Sequence, residues 1–193
     1  MKALIVLLLV LPMACSKGPS SMKPNQATPQ NTVRKMMEAT EKGDLVSFRE
    51  CIDCTDKHNE LLAAMFEYAQ AGIRFRKELV EVFGPGAVEE MGQEDHLMSP
   101  ALADPAWIDK LEFKINGDVA ECSQDKHENS FPRMVRKDGK WKVPFDESAF
   151  QPPKIFIELF RESAKAISDS IPDIHKPGMT VEKLKKTIFE RMK

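Results

Sequence analysis

Two turn signals in the second half of the chain constrain its fold more than any other feature of the sequence. The dipeptide Asn116-Gly117 and the tripeptide Lys137-Asp138-Gly139 each lie between short segments in which apolar and charged residues alternate. Alternation with period two is typical of a strand that buries one face, and Asn-Gly is the strongest short signal for a hairpin. We therefore predict an antiparallel meander with one wet face, built from strands over residues 111–115, 118–125, 131–136 and 140–145.

Helical periodicity occupies most of the remaining chain. Apolar residues recur at spacings of three and four in five segments, residues 33–40, 45–51, 57–82, 153–168 and 181–188. Four of these segments follow a residue that is a good helix N-cap, namely Thr32, Asp44, Asp56 and Thr180. Gly84-Pro85-Gly86 is predicted to end the longest helix, and Ile171-Pro172 to begin a linker. Residues 92–105 lack periodicity and are predicted to form a loop.

Helices before a meander and helices after it indicate an α+β fold with segregated layers. We predict N-terminal helices packed on a curved antiparallel sheet of about four strands, followed by a C-terminal helical extension. The helices must cover one side of the sheet, because a lone meander would expose its apolar face to water.

The N-terminus has the layout of an export signal. Lys2 supplies a positive charge, and an unbroken apolar run of nine residues follows from Ala3 to Leu11. This run is much shorter than the ~20 residues that a membrane-spanning helix requires, and its length fits the hydrophobic region of a secretory leader. Residues 1–14 are therefore predicted to be a signal peptide.

The segment Leu11-Pro12-Met13-Ala14-Cys15 resembles the lipobox of bacterial lipoproteins, with the preferred leucine one position early. The resemblance implies that Cys15 is diacylated and becomes the mature N-terminus, anchored to a membrane by several acyl chains. In lipoproteins an aspartate directly after the acylated cysteine favours retention in the inner membrane, and this chain has Ser16 there. We therefore expect the protein to be located in the cell envelope, anchored to the outer membrane and facing the periplasm. A cut elsewhere in the leader would leave a soluble periplasmic or secreted protein.

Composition separates a linker from the globular part. Residues 15–31 contain three prolines and almost nothing apolar, so they are predicted to be a disordered, lipid-anchored tether. The α+β domain is predicted over residues 32–146 and the helical extension over residues 147–193. With 28 basic and 30 acidic residues the net charge is −2, which argues against a nucleic-acid partner.

Three segments of this domain resemble nuclear-transport-factor-2-like domains. Residues 37–45 resemble the family's opening, in which an amphipathic helix runs into Gly-Asp and a second short helix. Residues 116–120 resemble a hairpin of the family, and residues 134–143 resemble its closing hairpin with a tryptophan after the turn. The resemblance covers residues 32–146 and implies a sheet wrapped by helices into a cone. The family includes isomerases, dehydratases and polyketide cyclases alongside non-catalytic binding domains, so the fold alone implies no activity.

The three cysteines beyond the leader allow several interpretations. A disulfide from Cys51 or Cys54 to Cys122 would tie the early helices to the sheet in an oxidising compartment, and this is the pairing we predict. A Cys51–Cys54 bond would be a redox motif, but such motifs usually lie in a βαβ setting that this sequence lacks. Cys51, Cys54, His58, Cys122 and His127 could instead supply the ligands of a tetrahedral metal site. Buried free thiols are the remaining alternative.

His96 and Tyr68 are the candidate catalytic side chains. His96 lies in the predicted loop beside Glu94, an arrangement found in general bases and in ordinary solvated loops. Tyr68 lies on the longest predicted helix, where its hydroxyl could donate to a ligand in a cone or lie at the edge of the core. Neither residue matches a catalytic position of the family.

These observations favour a non-catalytic binding or interaction domain held at the cell envelope, with no cofactor. Its expected partners are the membrane, through the N-terminal lipid, and either a small apolar ligand or an envelope protein. The alternatives are a small-molecule isomerase or cyclase that uses a cone pocket, and a structural metal or thiol site at Cys51, Cys54 and Cys122.

Overall fold

The computed structural model describes residues 26–92, 108, 111–123 and 133–192. Within these ranges the chain forms six α-helices and five strands, in the order α1 Pro29–Lys42, α2 Leu45–Glu50, β1 Ile52–Asp53, α3 Asn59–Phe83, α4 Gly86–Gly92, β2 Glu112–Asn116, β3 Val119–Ser123, β4 Met134–Lys137, β5 Lys140–Pro144, α5 Pro153–Ile174 and α6 Val181–Arg191. Short 3₁₀ turns cover Asp56–His58 and Glu147–Phe150. The predicted α+β class is confirmed.

Two of the four predicted N-caps are confirmed. The side chains of Asp44 and Thr180 accept hydrogen bonds from backbone N–H groups in the first turns of α2 and α6. The prediction for Thr32 was wrong, because Thr28 caps α1 and Pro29 occupies the first turn, where its missing N–H costs nothing. The prediction for Asp56 was also wrong, because Asp56 begins a 3₁₀ turn and α3 starts one turn later.

The prediction of a disordered tether over residues 15–31 was wrong for residues 26–31, because Gln26 is buried and α1 starts at Pro29. Residues 15–25 lie outside the described residues.

Of two predicted breaks, one is confirmed and one was placed too early. Gly84, with a φ of 83°, ends α3 as predicted, and the short helix α4 begins at Gly86. The predicted linker at Ile171-Pro172 is helical, because α5 continues to Ile174. Pro172 lies close to the C-terminal end of α5, so its missing N–H removes a hydrogen bond only from the last turns, and Ile174 gains a fully buried position.

The sheet has the strand order β1-β5-β4-β3-β2. β2 to β5 form the predicted antiparallel meander, while β1 runs parallel to β5 and aligns Ile52 with Val143. The sheet therefore has five strands and is mixed, where about four antiparallel strands were predicted. β1 was missed because a two-residue strand is too short to show periodicity. The sheet is also open, with edges at β1 and β2, and does not match the predicted cone.

A single hydrophobic core joins the sheet to helices from both ends of the chain. Met134, Trp141 and Val143 are buried on the inner side of the sheet, and the hydroxyl of Thr32 in α1 donates to the carbonyl oxygen of Trp141 at 3.1 Å. α5 packs along α3, and Phe150 belongs to the same core. The helices after residue 146 thus cover the core instead of extending from it. None of the helices within the described ranges is both long enough and apolar enough to cross a bilayer.

Candidate functional site

The C-x-x-C motif lies at the corner between α2 and α3. Cys51 follows the last residue of α2, and Cys54 follows β1. Cys51 is fully buried, and its thiol donates to the carbonyl oxygen of Ser47 at 3.4 Å. Burial raises the pKa of the Cys51 thiol to about 12. Because the thiolate is the reactive form of cysteine, Cys51 is inert at neutral pH.

Cys122 lies far across the sheet from this corner. It is on β3, whereas Cys51 and Cys54 flank β1, and both β5 and β4 lie between these strands. Neighbouring strands are about 4.8 Å apart, so three spacings separate the two sides by about 14 Å, twice the ~7 Å between Cα atoms that a disulfide can bridge. The three cysteines that the structure describes are free thiols, and the predicted disulfide to Cys122 is absent among them.

The same separation prevents Cys122 from sharing a metal ion with Cys51, Cys54 and His58. Ligands of one zinc ion each lie about 2.0–2.3 Å from it, which requires side chains in direct contact. Within the described ranges, no group of three or more His, Cys, Asp or Glu side chains has the geometry to hold a metal ion. His127, the fifth ligand of the predicted set, lies outside the described residues.

His58 is oriented by contacts on both sides of its ring. Nδ1 lies 3.3 Å from the backbone nitrogen and from Oγ1 of Thr55, while Nε2 lies 3.2 Å from Oε2 of Glu147. The Phe145 ring lies 4.6 Å away, centroid to centroid. Because the Thr55 N–H donates to Nδ1, we assign the imidazole proton of the neutral ring to Nε2, toward Glu147.

Charged side chains complete this corner. Lys57 lies 2.5 Å from Glu147, and the hydrogen bond from Lys57, with a second contribution from His58, lowers the pKa of the Glu147 carboxyl. Arg49 pairs with Asp56, and the hydrogen bonds to Asp56 and then to Cys54 raise the pKa of the Arg49 guanidinium. Glu147 is 90 residues from Lys57, so sequence spacing gave no signal for its place here.

The corner has the residue types of a nucleophile, a base and a carboxylate, but its geometry is that of a helix cap. Thr55 Oγ1 and the Thr55 N–H both face Nδ1 of His58, which forms a capping box around the 3₁₀ turn. A hydroxyl that shares the lone pair of its base with a backbone N–H is poorly placed for activation. The contacts instead fasten the start of α3 to the segment that leads into α5.

Tyr68, the described candidate for acid–base chemistry, is a core residue. Its side chain is buried between α3 and α5, where its ring lies 5.8 Å from that of Phe160. Burial raises the pKa of the Tyr68 hydroxyl to about 12. His96, the other catalytic candidate, and Cys15, the candidate lipidation site, lie outside the described residues.

An open groove of about 300 Å³ runs between α3 and α5. Ala71 and Ala164 leave the space, and the groove is bordered mainly by polar and charged side chains, namely Glu67, Gln70, Arg74, Arg161, Lys165 and Ser168. Arg161 bridges across it, 3.2 Å from Glu60 and 3.7 Å from Glu67. This lining suits a polar partner better than the predicted small apolar ligand. On the outer surface of α5, Ile155 and Leu159 are exposed one turn apart.

Comparison with models of protein families, with curated proteins and with solved structures gave no significant match. A function for this chain therefore has to be argued from its own residues.

Proposed function

We propose that this protein is an exported lipoprotein and that its α+β domain is a non-catalytic binding module held at the cell envelope by acyl chains on Cys15. The observation that carries the proposal is the order of Lys2, the apolar run from Ala3 to Leu11, and Ala14-Cys15. A leader with this layout engages the export machinery and is too short to stay in the bilayer, and the cysteine after it is the residue that lipoproteins acylate.

The way the chain joins the domain supports a tethered arrangement. Gln26 is buried, and its carbonyl oxygen accepts a hydrogen bond of 3.0 Å from the backbone N–H of Trp141. Its side-chain amide donates to the carbonyl oxygens of Trp141 and Glu50 at 3.1 and 3.0 Å. Ten residues separate this attachment point from Cys15. A domain fixed at Gln26 and acylated at Cys15 would stay close to the membrane.

The burial of two chemically versatile groups favours binding over catalysis. Tyr68 and Cys51 both have pKa values of about 12 and lie inside the core, where a substrate cannot reach them. The accessible features are instead the polar groove between α3 and α5 and the exposed apolar pair Ile155 and Leu159 on α5. A groove lined by charged and polar side chains suits the polar surface of a protein partner more than a small apolar molecule. An envelope protein is therefore the partner class that we favour.

Intact-mass measurement of the protein purified from membranes of its own cells tests the proposal. We expect a mature chain that begins at Cys15 and carries the added mass of its acyl chains, and we expect the Cys15→Ser variant to be found without them. A soluble protein that retains residues 1–14 would overturn the proposal, and so would a mature chain that begins elsewhere without acyl groups.

A further inference from the structure

We propose that the β4–β5 hairpin is the membrane-facing surface of the domain and contacts anionic lipid headgroups. This inference rests on the lipid anchor proposed above and adds which side of the domain lies against the bilayer.

The β4–β5 hairpin is strongly basic. The ten residues from Arg133 to Lys142 contain five cationic side chains and one acidic one, in a chain whose net charge is −2. The other hairpin has the opposite balance, because its residues from Glu112 to Glu121 contain one lysine and three acidic side chains. The positive charge is therefore concentrated in one part of the sheet.

Most of these cations share the solvent-exposed side of the sheet. Lys137 is aligned with Lys140, and Val135 with Lys142, so the three lysines lie on the side opposite Trp141. Alternation along the chain places Arg133 on the same side. Lys137 pairs with Asp53 at 2.5 Å, and the other three cations leave this side of β4 and β5 positively charged.

The attachment of the N-terminal chain brings this surface toward the membrane. Gln26 is hydrogen-bonded to Trp141 in the middle of β5, between Lys140 and Lys142. The eleven residue steps from Cys15 to Gln26 can span at most about 40 Å when fully extended. A short tether of this kind gives the hairpin a high effective concentration at the lipid surface. Attraction to anionic lipids acts within about 10 Å, so it favours the basic surface nearest the tether.

An extended lipid surface fits the arrangement of these cations better than a single bound anion. The cations are spread over two neighbouring strands, and all except the half-buried Lys142 are exposed. The groove between α3 and α5 lies on the helical layer and has no part in this surface. The proposed anchor itself also places the anionic bilayer within reach of this surface.

Binding to vesicles tests the inference without the acyl chains. The chain from position 15 onward, with Cys15→Ser, is mixed with vesicles of phosphatidylcholine alone or of phosphatidylcholine with phosphatidylglycerol. We expect sedimentation only with the anionic vesicles, weakened by salt. Each cation near an anionic surface strengthens binding roughly five-fold, so the double variant Arg133→Gln/Lys140→Gln should bind roughly twenty-five-fold more weakly.

The matched control removes the same charge elsewhere. Lys154→Gln/Lys186→Gln alters exposed positions on α5 and α6 and should bind like the parent chain. Equal weakening in both double variants would overturn the inference, as would equal sedimentation with neutral and anionic vesicles. The intact mass of the native protein reports acylation separately, so failure of the anchor can be distinguished from failure of the basic surface.

Discussion

The two hairpins of the sheet share a sequence pattern but have very different surroundings. Both alternate apolar and charged residues around a glycine turn, yet Trp141 in the β4–β5 hairpin is buried while Ile115 in the β2–β3 hairpin is 54% exposed. β5 lies between β1 and β4, whereas β2 is an edge strand. Alternation therefore predicts which side of a strand faces inward, while the position of the strand in the sheet decides how deeply that side is buried.

The turns of the two hairpins differ as well. Gly117 is the one residue of the first turn with a positive φ, 61°, as in a type II′ turn. In the second turn both Asp138 and Gly139 have positive φ values, 51° and 73°, as in a type I′ turn. The two turns are therefore of different types, and each type is compatible with the right-handed twist of the flanking strands. The sequence did not distinguish them, because each turn contains a polar residue followed by glycine.

The largest expected difference between the hairpins is in the cost of removing an aromatic ring. Trp141→Ala should lower the free energy of unfolding by about 3–5 kcal/mol, because the ring is fully enclosed by the core. Phe113→Ala, at a half-buried position on β2, should cost less than about 2 kcal/mol. Urea unfolding followed by circular dichroism measures both. Equal losses would contradict the distinction between central and edge hairpins.

The second prediction concerns the thiol beside the central hairpin. Cys51, whose carbonyl oxygen accepts from Val143 of β5, has a thiol pKa raised by burial from 9.0 to about 12. Above pH 9 the unfolded chain loses this proton while the folded chain keeps it, so the free energy of unfolding falls as the pH rises. The slope for one such group is about 1.4 kcal/mol per pH unit.

Unfolding measured between about pH 8 and about pH 10 should therefore show a weaker decline in the Cys51→Ala variant than in the parent, by about 1.4 kcal/mol at the upper end. Burial also raises the pKa of the Tyr68 hydroxyl, from 10.0 to about 12. Tyr68 is present in both the parent and the Cys51→Ala variant, so its contribution cancels in the comparison. Cys122→Ala provides a second comparison on the edge hairpin, where burial raises the thiol pKa to about 11. An identical pH dependence in the parent and in Cys51→Ala would show that the Cys51 thiol is not sequestered.

A smaller effect is expected where α1 meets the central hairpin. Thr32→Val keeps the shape of the side chain and removes its hydrogen bond to the carbonyl oxygen of Trp141, which should cost about 1 kcal/mol. Thr187→Val is the matched control, because the Thr187 hydroxyl donates to Lys183 within its own exposed helix surface. Thermal unfolding should separate the two variants. A Thr187→Val effect as large as that of Thr32→Val would remove the reason to single out this contact.

The smallest effect is expected at the exposed edge. Ile115→Thr retains a β-branched side chain and should change the free energy of unfolding by less than about 0.5 kcal/mol. The same urea titrations measure it. A loss of more than about 1 kcal/mol in the free energy of unfolding would mean that β2 is covered in solution, and would contradict the contrast between a buried and an exposed hairpin.

Local rules predicted much of this fold. The period-two alternation located four of the five strands, and the oxygens of Asp44 and Thr180 fixed two helix starts. Long-range contacts decided the remainder. β1 forms because the end of α2 delivers two residues to the free edge of β5, and Pro172 stays helical because Ile174 is buried by its neighbours. Neither contact leaves a periodic signal near the residues involved.

The candidate site was less predictable than the fold. Spacing suggested that Cys51, Cys54 and Cys122 could meet, but two strands separate them, and strand order cannot be read from spacing. Apart from Thr55, the residues that contact His58 are Phe145 and Glu147, which are almost 90 positions away. Tyr68 was correctly placed on the longest helix. Its role as a core residue depends on the contact of its ring with Phe160 of α5, a contact that the sequence near Tyr68 does not reveal.

The bonds that join Gln26 and Thr32 to Trp141 have a consequence for the order of folding. They connect residues 115 and 109 positions apart, so the first helix cannot complete its hydrogen bonding until the last strand has formed. Contacts so distant along the chain slow folding, because a long loop must close first. In a polypeptide that emerges N-terminus first, from a ribosome or a translocation channel, the first helix would lack these hydrogen bonds until about half of the chain had followed it.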